Sequence, residues 1–270
     1  MSIQLKNILF VSDLDGTLLT TSQKISAENV EAIRRFEEQG GLFTLATGRT
    51  EQAVAKFVEE LNITTPMILY NGAKIYCPVT QKVIYEKTMN IPVSFWQYIF
   101  SKLSEDLALL IYRDGQVYSP HRSALLESHE QKDGVVSLDF PLDTLEQFVT
   151  KLLLIANDPA ELLAIEETIH ATGLEAELVY SEYNYLEILP IHTSKGNTLR
   201  ILLQLLPHKD LRTIAVGDQL NDLTIIQQAD DGYAVENAHP TLKIHANNVT
   251  VHHEEHAIAD IIEKLMKLEV

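Results

Sequence analysis

FVSDLDGTLL, residues 10–19, joins an apolar run to two aspartates, a glycine and a threonine. Ile8 to Val11 reads as a buried strand, and Asp13 and Asp15 follow at its carboxyl end. Open α/β sheets keep their ligands at that edge, so carboxylates there are well placed for chemistry. Taken alone, D-x-D-G-T also fits a solvated turn, because Asp and Gly are ordinary turn residues.

Outward from this stretch the chain alternates strand and helix. Ser26 suits a helix N-cap, with Val30, Ile33 and Phe36 as the apolar stripe and Gly40 and Gly41 as the stop. A second strand, 42–46, runs into Thr47, Gly48 and Arg49; Thr50 caps a helix over 51–61; a third strand, 67–70, ends at Asn71 and Gly72. This rhythm predicts a parallel, doubly wound sheet with right-handed crossovers. Residues 74–86 read as an antiparallel hairpin. The spacing then changes to that of an α+β segment. It has a helix over 91–103, strands 107–112 and 116–119 around Asp114-Gly115, and a strand at 151–156. A helix over 158–170 follows, with Asp158 as cap and Pro159 at its first position, then strands 175–181 and 185–189. The α/β rhythm resumes with a helix opened by Ser194-Lys195-Gly196, a strand at 211–216 ending in GDQLND (217–222), and a helix to Ala229. Strands 233–235 and 249–251 and helices 240–246 and 254–268 complete it. The expected organisation is an α/β core of residues 1–86 and 191–270, interrupted by an α+β cap at 87–190.

Composition narrows the class. With 46% hydrophobic residues in a chain of 270, a packed core is expected and disorder is not. A net charge of −17 argues against a nucleic-acid-binding face, which needs clustered Lys and Arg. Cys77 is the only cysteine, so no intrachain disulfide forms and a reducing compartment fits. The first residues, MSIQLKNILF, lack the apolar core of a signal peptide, and no apolar run reaches the length of a membrane span. A cytoplasmic location without a membrane partner is expected, as a monomer or weak homodimer.

Three strand ends carry groups suited to a metal and a phosphate: Asp13 and Asp15; Thr47 and Gly48; and Asp218, Asn221 and Asp222. Lys195 opens a helix on the same edge. Carboxylates meeting there repel unless a cation sits between them, and all-oxygen ligands suit Mg²⁺. Thr47 offers a hydroxyl and Gly48 a backbone N–H, while Lys195 and its helix N-terminus offer positive charge. Two carboxylates on one loop can divide labour: Asp13 ionised and nucleophilic, Asp15 moving the proton.

DLDGTL (13–18), ATGR (46–49), SKG (194–196) and GDQLND (217–222) occur in the order found in the haloacid dehalogenase-like (HAD) phosphohydrolases, and the chain resembles their Cof-type branch with a class IIB cap. NGA (71–73) and YAVENAHPTLK (233–243) resemble that branch too. The resemblance spans the chain. It implies a Rossmann-like core, Mg²⁺, and hydrolysis of phosphate monoesters through an aspartyl-phosphate. It makes Asp13 nucleophile and metal ligand, and Asp15 general acid/base and a metal ligand through its carbonyl. Asp218 becomes a metal ligand and Asp222 an outer or water-mediated one. The Leu14 N–H, Thr47, Gly48, Lys195 and Asn221 become phosphate-binding groups. The sequence departs from the branch at His256, where glycine usually precedes the last helix, and at His192, also often glycine.

Other residues carry plainer readings. Arg49 suits either an outer, substrate-facing role or an ion pair with an acid. His252, His253 and His256 read as a solvated run, Cys77 as a small packing residue, and Phe95, Trp96, Tyr98 and Phe100 as cap packing. Tyr112, Arg113, His121 and Arg122 sit near cap loops and are candidates to face substrate. The expected activity is a Mg²⁺-dependent phosphatase for a small phosphorylated metabolite such as a sugar phosphate, with the cap excluding water and choosing the substrate. Alternatives are a phosphomutase on the same core, a non-catalytic sugar-phosphate-binding regulator, and an acidic interaction scaffold.

Overall fold

A computed structural model describes residues 5–208 and 210–268. The chain divides into two compact units. One is built from the segments ending at Gly48 and beginning at Ser194, with Val54–Tyr85 between them; the other comprises Arg49–Ala53 and Glu86–Thr193.

The first unit is organised on a five-stranded parallel sheet in the order Asn248–Val249, Asp231–Ala234, Arg212–Gly217, Ile8–Ser12, Leu42–Leu45. Ile8–Ser12 is an interior strand, flanked by Arg212–Gly217 and Leu42–Leu45 and buried throughout, as an uninterrupted apolar run covered on both faces should be. Ser12 registers with both Val216 and Leu45, so three strands end level with one another. Helix Ala27–Glu38 starts where Ser26 accepts the Asn29 N–H, and it packs against the last helix, Ala257–Leu268.

Met67–Leu69 departs from expectation. It pairs antiparallel with Lys74–Cys77 in a three-stranded sheet that ends in Lys82–Glu86. Its link to the parallel strands is one bridge, Ala46 to Ile68. It stops after three residues because Tyr70 and Asn71 turn left-handed, with φ of 52° and 51°.

The second unit holds a six-stranded sheet in the order Ala176–Glu182, Tyr185–Pro190, Lys151–Ala156, Leu107–Arg113, Gln116–Ser119, Leu138–Asp139. Asp114 and Gly115 make the expected tight hairpin, both with positive φ. Phe95, Trp96, Ile99, Leu109, Leu154, Ile165 and Ile188 form part of one apolar cluster, contributed by the sheet and by helices Val93–Phe100 and Pro159–Ile169. The first of these helices is shorter than the predicted 91–103, since Pro92 stands at its N-cap. A helix that the sequence did not announce, Ala124–Asp133, is capped by Ser123 and closed by Gly134 at φ 67°. Lys151 and Glu187 form a buried ion pair, 2.8 Å long, with the ammonium 4.3 Å from the centre of the Tyr112 ring.

Both departures from glycine keep a glycine-like backbone: His192 has φ 59° and His256 φ 63°. Histidine is among the side chains that tolerate this region, so the turns survive the substitution. The histidine run is less solvated than expected. His253 is only 11% exposed in its side chain, and its Nδ1 lies 2.7 Å from the Leu19 carbonyl. Among the described residues, no helix is long and apolar enough to cross a membrane.

Candidate active site

The end of strand Ile8–Ser12 fixes Asp13, whose N–H donates to the Val216 carbonyl at 2.9 Å. The chain then reverses through Gly16 at φ 70°, where a Cβ would lie 2.4 Å from Asp218 Oδ2. Only glycine lets the two acidic loops approach this closely. Thr17 donates to Asp218 Oδ1 at 3.3 Å, and the N–H groups of Leu18 and Leu19 donate to the Leu14 carbonyl. Asp15 lies partly exposed on the same turn, where its Oδ1 accepts from Gln23 at 3.3 Å.

Asp13, Asp218 and Asp222 bring carboxylate oxygens within 4.8 Å of one another, and all three residues are buried. Burial, reinforced by the Asp222 charge, pushes Asp13 up to about 7, although Lys195 pulls the other way. Burial and the Asp13 charge push Asp218 well above the usual carboxylate range. Lys195, with no exposed surface, donates to Asp13 Oδ1 at 2.7 Å and to Asp222 Oδ1 at 2.6 Å. Burial opposes its charge, but the two facing carboxylates outweigh that and raise its pKa. Asp222 Oδ2 accepts the N–H groups of Asp218 and Gln219 at 3.0 and 3.2 Å. Both Asp222 oxygens are thus committed to lysine and backbone, which leaves Asp13 and Asp218 as the pair suited to a cation. A divalent ion fits this donor set, because it would offset the burial and mutual repulsion that now disfavour ionisation of both.

Around the acids lie the neutral groups. Thr47 is buried; its N–H donates to the Ile68 carbonyl and its own carbonyl accepts the Asn71 N–H at 3.0 Å. Gly48 follows at the strand end, half-buried. Asn221 Nδ2 donates to Asn71 Oδ1 at 3.1 Å. The Lys195 helix, Lys195–Leu205, is capped by Ser194. Gly196 seats it against the next helix, since a Cβ there would fall 2.2 Å from the Thr224 carbonyl oxygen.

Sequence reasoning assigned no role to Thr17, Asn71 or Asn237, which donates to the Gly16 carbonyl at 2.8 Å. All three lie in quoted motifs, but their contacts depend on loop geometry. The remaining candidates lie in the second unit. Arg49 Nη2 is 3.8 Å from Asp133. Arg113 is buried over the Tyr118 and Phe140 rings and donates to Thr144, while Arg122 makes a two-pronged pair with Glu130. Tyr112 is buried beside His129, with His121 nearer the surface and 3.6 Å from Glu105.

The sequence profile of a family described as haloacid dehalogenase-like hydrolase matches residues 10–262. YxeH of Bacillus subtilis (strain 168) is 30% identical over 269 residues, covering 96% of this chain and 98% of that one. Pyridoxal phosphate phosphatase YbhA of Escherichia coli (strain K12) is 27% identical, covering 93% and 95%. A solved haloacid dehalogenase-like hydrolase from B. subtilis superposes with a TM-score of 0.81 at 26% identity, over 95% of this chain and 99% of that one. With a parallel core, an inserted second sheet and this match along nearly its whole length, the chain belongs to the haloacid dehalogenase-like hydrolases.

Proposed function

We propose that this hydrolase is a Mg²⁺-dependent phosphatase for small phosphate monoesters, sugar phosphates or related metabolites, working through an aspartyl-phosphate. The observation that carries it is the buried Asp13 carboxylate, bonded to Lys195 at 2.7 Å and gathered with Asp218. The similarity to a pyridoxal phosphate phosphatase supports a small phosphorylated substrate.

In this proposal Asp13 attacks phosphorus and the ester P–O bond breaks. Asp15 gives its proton to the departing alkoxide, so an alcohol leaves. Asp15, now ionised, takes a proton from water as that water attacks phosphorus. The bond to Asp13 breaks, and inorganic phosphate is released. Asp15 is on the same turn as Asp13 yet partly exposed, a setting that suits proton exchange. Lys195, Thr47, Asn221 and the N–H groups of Leu14 and Gly48 hold the phosphoryl oxygens. Asp222 keeps Lys195 charged and in place. When bound at Asp13, Asp218 and the Asp15 carbonyl, Mg²⁺ supplies the positive charge that lets the two buried carboxylates ionise.

A panel of phosphorylated metabolites, assayed for phosphate release with and without Mg²⁺, tests this, with Asp13→Asn as control. Activity that needs Mg²⁺ and vanishes in the variant is expected. Turnover that survives chelation or the substitution would overturn the proposal.

A further inference from the structure

We infer that Asn71 is a positioning residue of the phosphate cradle, acting through Asn221 and Thr47; the inference rests on the phosphatase function proposed above. Three consecutive residues, Tyr70, Asn71 and Gly72, have φ of 52°, 51° and 104°. Two of them are not glycine, and a bulky tyrosine is a poor occupant of this region. Strain of this kind persists only where the surroundings enforce it, and it gathers at functional sites.

The surroundings here do enforce it. The Asn71 N–H donates to the Thr47 carbonyl at 3.0 Å, and Thr198 Oγ1 donates to the Gly72 carbonyl at 2.6 Å. A Cβ on Gly72 would meet the Ser194 carbonyl oxygen at 2.4 Å. The Lys74 ammonium sits 4.4 Å from the centre of the Tyr70 ring. The strained run is thereby wedged against the residue that caps the Lys195 helix.

The product of this arrangement is one residue joining two candidate phosphate ligands from distant parts of the chain. Through its backbone Asn71 holds Thr47; through its carboxamide it holds Asn221 at 3.1 Å. Asn71 is 2% exposed, and its Nδ2 is a buried donor without a hydrogen-bond partner among the described residues; Asn221 Oδ1 is a buried acceptor in the same condition. The ends of a carboxamide are nearly equal in shape, so the bridge also forms with both amides turned over. Asn71 then donates, and the Asn221 amide group takes the place of its oxygen. An oxyanion selects that second state, because it needs donors. The bridge therefore holds Asn221 ready to present N–H to phosphate.

Asn71→Gly removes the side chain and relaxes the left-handed backbone, so the fold should survive, as a thermal melt will show. Phosphate is held in the ground and transition states alike, so KM should rise and kcat should stay close to wild type. The expected changes are a KM about tenfold higher, with inhibition by inorganic phosphate weakened by the same factor. The double variant Asn71→Gly/Asn221→Ala should be no worse than Asn221→Ala, because the two act as a unit. Asn71→Asp keeps a left-handed-tolerant residue and an acceptor but loses Nδ2 and adds charge, and its KM should rise further. Wild-type KM and phosphate inhibition in the glycine variant, or additivity in the double variant, would overturn the inference. Should the glycine variant fail to fold, a wild-type KM in Asn71→Asp overturns it equally. A wild-type protein that turns over nothing in the panel and ignores inorganic phosphate defeats the phosphatase function instead.

Discussion

Lys195 and Asp222 form an ion pair with no exposed side-chain surface on either partner, 2.6 Å from Nζ to Oδ1. Such a pair is asymmetric in its energetics. Removing Lys195 strands the Asp222 charge in a medium that cannot solvate it, which costs about 3–5 kcal/mol, whereas removing the Asp222 charge leaves Lys195 its 2.7 Å bond to Asp13. Lys195→Met should lose stability of that order in denaturant melts, and Asp222→Asn less. Combining them should cost less than the sum, since the second change removes the stranded charge.

Asp13 carries the opposite tension. Its pKa, raised to about 7 from an ordinary 3.8, lies above that of the unfolded chain. Between those values the folded protein binds more protons than the unfolded one, so its stability falls as pH rises through the window. In chelator, Asp13→Asn should melt higher than wild type at pH 8, by roughly 2–4 °C, and the difference should shrink towards pH 5. Added Mg²⁺ should raise the wild-type midpoint and leave the variant's nearly unchanged. Equal Mg²⁺ responses would show that the ion binds elsewhere.

Gly196 is a packing device. The atoms that an added methyl would meet are backbone, the Thr224 carbonyl oxygen at 2.2 Å and the Ile225 nitrogen at 3.0 Å, so no side chain can swing away. Gly196→Ala should cost about 1–3 kcal/mol as the helices part. Because Lys195 is the preceding residue, inhibition by inorganic phosphate should weaken as well, which a competition assay reads directly.

Glu130 provides a pH dependence of opposite sign in the second unit. Its pKa is held down at about 2, first by the two-pronged Arg122 bond and then by the Ser137 hydroxyl and N–H, against an ordinary 4.5. The stability it contributes is complete above the unfolded value and is lost as pH falls from about 4.5 towards 2. Arg122 is 46% exposed, so screening limits the effect to about 1 kcal/mol. Glu130→Gln should lower the melting temperature at pH 7 and converge on wild type near pH 2.

The acidic strand ends were legible because residue identity alone marks them: an apolar run followed by Asp, Thr-Gly or Gly-Asp needs no knowledge of neighbours. Asn71 was quoted in a motif but given no task, since its importance lies in the hand of its backbone and in a carboxamide 150 positions away in sequence. The third strand meets its parallel neighbour only through the Ala46–Ile68 bridge, because the chain turns left-handed at the next two residues, which three apolar residues cannot announce. Helix Ala124–Asp133 escaped notice because only Leu126 and His129 are buried in it, too few for an apolar period, although Ser123 and Gly134 marked its ends. At His192 and His256 the expectation followed residue type, whereas the fold preserved the dihedral angle.

Strand Ile8–Ser12 also sets a schedule. Ser12 lies beside Val216 in register, so the groups gathered around Asp13 belong to the first and last parts of synthesis. As the chain leaves the ribosome, residues 86–193 form a contiguous run able to start folding while the opening strand still lacks one of its two neighbours. The strand of Asp13 must stay competent, and its apolar surface shielded from other chains, until residue 217 has emerged. A candidate site assembled this late lacks its acidic partners in every chain that stops before residue 218, so no truncated product of that length should release phosphate.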